Sequence, residues 1–255
     1  MPVSRPDFLK RIFAQLDMMP CDATDTNLLV FVDGTQELFQ IARNLTVESK
    51  FREKLCVYRR KGLPNANHIR SRRRRIGEIH NEIKTIVGKC DYLFLLEDDT
   101  LFPLNTLERL LKLYTLFPYA GFVTGVQIGR WGINVPGIWQ VDNPYEVKRI
   151  NSMLPPEIGP GATSAAQEID AAGLFCMLTK RDNYINTKFE PFMDILGPDV
   201  TFGIELRKQG YKNYVDWTLN TGHLTKRGEI KVFNTTLQQI TFKRIGENSW
   251  EQEVV

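Results

Sequence analysis

The sequence predicts an α/β fold: a largely parallel sheet with helices on both faces. Three observations carry this expectation. Short apolar runs recur along the first half, at Leu28–Val32, Lys54–Tyr58, Tyr92–Leu96 and Gly121–Gln127. Each is brief and rich in β-branched or aromatic residues, as buried strands are. Between the runs lie segments with apolar residues at helical spacing, long enough to serve as crossovers between parallel strands.

The elements follow in order. Residues 6–17 read as a helix, with Pro6 suited to its first turn and Phe8, Leu9, Ile12, Phe13 and Leu16 on one face. The strand Leu28–Val32 runs into Asp33-Gly34-Thr35, and Gln36–Leu45 is helical. After the strand Lys54–Tyr58 comes a basic loop, then a helix from Arg72 to Val87 with Ile76, Ile79, Ile83 and Ile86/Val87 as its inner stripe. Tyr92–Leu96 is the next strand, and Asn105 can cap a helix reaching about Phe117, with Leu107, Leu110, Leu111 and Tyr114 inward. Beyond Gln127 the pattern loosens, because residues 129–161 are rich in Gly, Pro, Trp and Asn. Residues 169–179 resemble a strand entered through a glycine. Val200–Gln209 is a helix closed by Gly210, with Asp199 at the cap position, and Tyr214–Thr218 is a strand leading to Gly222-His223. The polar tail holds two short strand candidates, Ile230–Phe233 and Gln239–Lys243.

Composition bounds the function. The 255 residues are 42% hydrophobic and 25% charged, enough for a sizeable core. A net charge of +3 does not announce a nucleic-acid binder. Cys21, Cys56, Cys90 and Cys176 are scattered with no CxxC pair, which favours reduced thiols over disulfides or zinc. No apolar stretch nears the ~18 residues of a membrane span, and no signal-peptide core opens the chain. The expectation is a cytoplasmic protein without membrane insertion.

The chemistry concentrates at strand ends, where ligands bind in parallel sheets. The run Tyr92–Leu96 stops in Glu97-Asp98-Asp99. Three adjacent carboxylates repel one another unless a cation sits among them, and hard oxygen ligands suit Mg²⁺ or Mn²⁺ held against phosphates. Arg70 and Arg72–Arg75 crowd a helix start, against the macrodipole, which suggests anion contact. Trp131 and Trp139 offer flat faces to an acceptor in the irregular segment, and Trp217 offers another, with core packing the ordinary alternative for each.

Taken together, the order of these features resembles the GT-A-fold glycosyltransferases of the family-two type, which use nucleotide-diphosphate sugars. The likeness runs from Met1 to Thr225. Met1-Pro2 and the residues to Leu9 are similar to the end of the family's first strand and the helix after it. Val32-Asp33-Gly34-Thr35 resembles its nucleobase motif, and Leu96-Glu97-Asp98-Asp99 its DXD metal motif. Gly197-Pro198-Asp199 with Phe202, Leu206, Arg207 and Gly210 resembles the segment carrying the base, and Gly222-His223 the histidine that completes the metal site. The metal motif departs by opening with Glu97, so Asp99 is the firmer ligand. The base motif departs by holding only Asp199. Because Met1-Pro2 aligns with the end of a strand, the expectation is a nearly absent first strand or residues missing upstream.

The resemblance implies one catalytic domain over 1–225, with a nucleotide-sugar half at 1–127, an acceptor half at 128–225 and an appendage at 226–255. It implies Asp199 as base. Pro2, Asp33, Arg75, Glu97 and Asp98 would bind the donor, a UDP-sugar first of all, and Asp99 and His223 would bind Mn²⁺ or Mg²⁺. The acceptor side would include Trp131 and Trp139. Transfer would invert configuration, since one base and no second nucleophile are evident. The basic segments 59–61, 70–75 and 226–227 lean toward the hydroxymethyl group of a modified pyrimidine in double-stranded DNA, as in viral DNA-modifying members. A saccharide or lipid-linked saccharide ranks close behind, and a protein side chain is a third acceptor. The competing functions are a non-catalytic nucleic-acid-binding module on the same fold and, less favoured, a sugar nucleotidyltransferase.

Overall fold

The computed structural model describes residues 6–59, 69–127, 135–157, 165–190, 196–225, 229–233, 239–244 and 250–254. They divide into two compact units. One holds residues up to Lys89 together with Phe189–Pro198, and the other holds Cys90–Lys188 with Asp199 onward. The α/β class is as the sequence predicts.

In the first unit, β1 (Leu28–Asp33) and β2 (Lys54–Arg59) pair in parallel, with Asp33 opposite Arg59. The connection between them is α2 (Gln36–Glu48), whose first turn is capped by Thr35 Oγ1 accepting from Leu38 N–H at 3.2 Å. α1 (Pro6–Met18) buries the predicted face, Phe8, Leu9, Ile12, Phe13 and Leu16. Leu9 and Phe13 close a core with Val32, Leu38 and Ala42. α3 (Ile69–Ile86) buries Ile79 fully. Buried Arg59 joins this helix by pairing with Glu78 (2.8 Å) and Glu82 (3.2 Å), one turn apart. Phe189 lies on the same helix, stacked on His80 with ring centroids 4.7 Å apart.

Burial holds the His80 imidazole far below its ordinary value, down to about 3 from 6.5. The unfolded chain therefore takes up a proton that the folded one refuses. Stability is retained above pH 6.5 and falls as pH drops toward 3. The urea midpoint should decline over that window, and His80→Phe should flatten the decline.

The second unit is built on a five-stranded sheet in the order β3-β10-β5-β11-β8. Its members are β3 (Tyr92–Leu96), β5 (Ala120–Val126), β8 (Ala166–Ile169), β10 (Cys176–Lys180) and β11 (Lys212–Asn220). β5 and β11 pair in parallel, while β10 is inserted antiparallel between β3 and β5, so β3, β5 and β11 share one direction. Alternation along β5 covers both faces. Val123 packs with Leu110, Leu113 and Tyr114 of α4 (Thr106–Leu116). Phe122 lies against Phe202 of α6 (Pro198–Lys208), centroids 6.2 Å apart. The inward stripe of α4 differs from expectation at one position. Leu113 is buried and Leu111 is 38% exposed, because Leu110, Leu113 and Tyr114 form the tighter i, i+3, i+4 set. Asn105 occupies the cap of α4 but makes no side-chain cap bond.

Two further ladders frame this unit. β4 (Thr100–Leu101), β12 (Gly222–Leu224), β13 (Ile230–Phe233), β14 (Gln239–Arg244) and β15 (Trp250–Val254) form a second sheet in the order β15-β14-β13-β12-β4, so the tail continues the ladder of β12. β6 (Ile138–Val141) lies between β7 (Ile150–Ser152) and β9 (Ala171–Ala172). The single strand expected over 169–179 is thus split at Gly173, one part joining β6 and the other β3 and β5. Gly210 closes α6 at φ +89°, the left-handed conformation glycine takes without strain.

α6 is held close to β9. A Cβ on Gly203 would sit 2.5 Å from Asp170 O and 2.8 Å from Ala171 Cα, both backbone atoms. Gly203→Ala should lower stability by about 1–3 kcal/mol, as overpacking does, read from denaturant midpoints. Asp170 is itself fixed, accepting from Val141 N–H at 2.8 Å and paired with Arg207 at 3.0 Å. Among the described residues no helix is long and apolar enough to cross a membrane.

Candidate active site

The acidic turn after β3 gathers most of the sequence-predicted residues of the second unit. Glu97 N–H donates to Phe175 O (3.2 Å), carrying the β3–β10 ladder into the turn, and Thr100 N–H closes it on Glu97 O (3.2 Å). Glu97 and Asp98 are half-buried, whereas Asp99 is only 7% exposed. β12 then returns antiparallel to β4, placing His223 opposite Thr100, while Leu224 N–H donates to Asp99 O at 2.8 Å. That register brings His223 Nε2 to 3.4 Å from Asp99 Oδ2. Two residues distant in the chain become a buried carboxylate–imidazole pair.

Asp199 stands in the first turn of α6, after Pro198, and not at the cap expected for it. Proline suits the first helical position because its missing N–H would be unbonded there anyway, so the helix starts at Pro198, two residues before Val200. The Asp199 carboxylate reaches the strand-end region through Gly173, where a Cβ would lie 3.9 Å from Asp199 Oδ2 and 2.7 Å from Phe175 Cδ1. Gly173 N–H in turn donates to Gly137 O, and Gly137 N–H to Gln127 O, both at 3.0 Å. Gln127 is a site residue that sequence reasoning missed. It directly follows β5, is 4% exposed, and its Nε2 donates to Thr100 Oγ1 at 2.9 Å. A polar residue closing an apolar strand was the available signal. Hydrogen bonds therefore run from Gly173 through Gly137 and Gln127 to Thr100, which lies opposite His223, with the Asp199 carboxylate near Gly173.

In the first unit, Asp33 ends β1 with no exposed surface. Arg75 of α3 grips it as a two-pronged fork: Nη2 donates to Oδ1 at 2.6 Å and Nε donates to Oδ2. Both were expected to bind donor, but their mutual pairing was not foreseen. Beside them, Tyr58 OH donates to Gly34 O (3.3 Å), and the Tyr58 ring stacks on Phe39 at 4.9 Å.

The remaining candidates divide. Trp139 is half-buried in β6, opposite Ser152 and Ala171. Trp217 is core, 1% exposed with Nε1 donating to Gln167 Oε1 at 2.7 Å. Pro2 and Trp131 lie outside the described residues.

One carboxylate and one imidazole suit Mn²⁺ and, less well, Mg²⁺. Among the described residues no three His, Cys, Asp or Glu side chains converge on one metal position. A cation held by these two side chains would take its other ligands from substrate and water.

Comparison with known proteins returns no matching family and no curated relative. Among solved structures, protein A197 from STIV is 17% identical, over 88% of this chain and 100% of that one, with a TM-score of 0.44. A UDP-glucose pyrophosphorylase, solved in complex with UDP-glucose, is 10% identical, over 89% of this chain and 81% of that one, also at 0.44. Both likenesses are loose, so function has to be read from the side chains.

Proposed function

We propose that the protein is a metal-dependent, inverting glycosyltransferase that moves a sugar from a nucleoside-diphosphate sugar to a hydroxyl acceptor. The observation that carries this is the buried Asp99–His223 pair beside the acidic turn, with Asp199 reached through Gly173. Asp99 and His223 would hold Mn²⁺ or Mg²⁺, which when bound supplies Lewis-acid stabilisation of the departing diphosphate. Glu97 and Asp98, half-exposed on the same turn, would face the ribose or sugar hydroxyls. Asp199 would take the proton of the acceptor hydroxyl as it attacks the anomeric carbon. Arg75, held by Asp33, would meet the nucleobase, and UDP, favoured by the resemblance, is the first ligand to try.

For the acceptor we propose a hydroxymethylated pyrimidine in DNA, supported by the basic segments of the sequence, with Trp139 as a flat face beside it. A saccharide is the second reading, and one observation favours it. Arg59 and Arg75, two of the arginines counted toward a polyanion, are committed to Glu78, Glu82 and Asp33.

The first test is thermal unfolding with UDP, GDP, CDP and ADP, each with and without Mn²⁺. A nucleotide at a hundredfold excess over its dissociation constant stabilises by about 2.7 kcal/mol. A metal-dependent shift is expected. No shift with any of the four would remove the glycosyltransferase reading and favour a non-catalytic module, which would bind plain DNA without donor.

A further inference from the structure

We infer that the nucleobase is read by the outer edge of Arg75 and that the base it selects is guanine; this rests on the glycosyltransferase reading and replaces its uridine. The argument begins with what Asp33 can no longer do. A carboxylate at a strand end could accept an N–H from uracil if ligand could reach it. Here Asp33 has no exposed surface, and each of its oxygens already accepts from the guanidinium. An incoming N–H group has no route to it without breaking a charged, two-pronged bond, among the stronger hydrogen bonds a protein makes.

What the end of β1 does present is Arg75. Its side chain is 11% exposed. A guanidinium carries five N–H donors. Two serve Asp33, and among the described residues Arg75 makes no other hydrogen bond. The side-on grip uses Nε and one N–H of Nη2, which leaves the end-on edge, Nη1 and the second N–H of Nη2, as a pair of parallel donors. Asp33 fixes that edge in place, so no rotamer freedom is lost when a ligand meets it. A reader made only of donors discriminates by acceptors. Guanine offers O6 and N7 side by side, the pair an arginine fork matches. Uracil interrupts its two carbonyls with an N–H donor, and adenine sets an amino donor beside N7, so each would point a donor at a donor, while cytosine, with O2 beside N3, is the rival that the test has to separate.

The test is calorimetric binding of nucleoside diphosphates to the full chain with Mn²⁺. GDP is expected to bind roughly tenfold or more tighter than UDP or ADP, the scale of a good bidentate base contact, and tighter than CDP. IDP, which keeps O6 and N7 and lacks the 2-amino group, should match GDP. 7-Deaza-GDP, which lacks N7, should lose most of the advantage. Arg75→Lys keeps a cation beside Asp33 but removes the fork, and should bring GDP down to UDP. The analogue series needs no variant, so it decides the matter even if Arg75→Lys folds poorly. Tighter binding of UDP, CDP or ADP than of GDP, or equal binding of GDP and 7-deaza-GDP, overturns the inference while leaving the glycosyltransferase reading intact. Binding of no nucleotide overturns both.

Discussion

Asp199→Asn should keep metal-dependent nucleotide binding and lose turnover by about 10²–10⁴-fold, the share a positioned general base supplies. The change is nearly isosteric and removes only the capacity to accept a proton. The carboxylate lies beside Gly173, where an added Cβ would come 3.9 Å from Asp199 Oδ2. The two readouts separate the roles. A thermal shift with nucleotide and Mn²⁺ reports donor binding, and the single-turnover rate reports the proton transfer. Wild-type turnover in Asp199→Asn would mean that another group deprotonates the acceptor.

Asp99→Ala should abolish the Mn²⁺ dependence of nucleotide binding and lower turnover by at least about a hundredfold, since changes even to groups that merely support a metal ligand cost 10–100-fold. The fold should survive, because the backbone of Asp99, not its side chain, joins β12, accepting from Leu224 N–H at 2.8 Å. The variant should therefore unfold within about 1 kcal/mol of wild type in the absence of ligands. His223→Ala should behave alike, and the double variant should be little worse than either single one, as expected for two ligands of one ion. A retained Mn²⁺ response in Asp99→Ala would place the cation elsewhere.

Much of this was legible in the chain because it is local. Apolar runs ending in Asp33 or Glu97-Asp98-Asp99 mark strand ends by themselves, and Gly210 marks a helix end by its conformational freedom. The inner face of α1 follows from spacing alone. What escaped was long-range. Nothing near Thr179 says that β10 will enter antiparallel between β3 and β5, since that is decided by partners far away in sequence. The pairing of Asp33 with Arg75, and of buried Asp216 with Arg109 at 2.6 Å, depends on how helices land on strands. Asp199 was expected at the cap and is the second helical residue instead, because proline at a first helical position and aspartate at a cap are both good starts, and only one can hold. Trp217 could not be told from a ligand-facing tryptophan, because burial is a property of the assembled sheet.

The ladder that joins β4 to β12 has a consequence for biosynthesis. β3 finds its partner in β10, β5 in β10 and β11, and β4 in β12, all made later. While the ribosome is still in the second half of the message, the nascent chain carries strand edges with open backbone donors and acceptors, the surfaces on which chains associate wrongly. The acidic turn emerges early, but its histidine arrives only with β12, so the Asp99–His223 pair cannot form until most of the polypeptide has been made. Slowing translation lengthens that exposed interval, whereas a holdase chaperone that covers the edges of β3 and β5 would shorten it, and recovery of native protein should follow chaperone supply more closely than inducer strength.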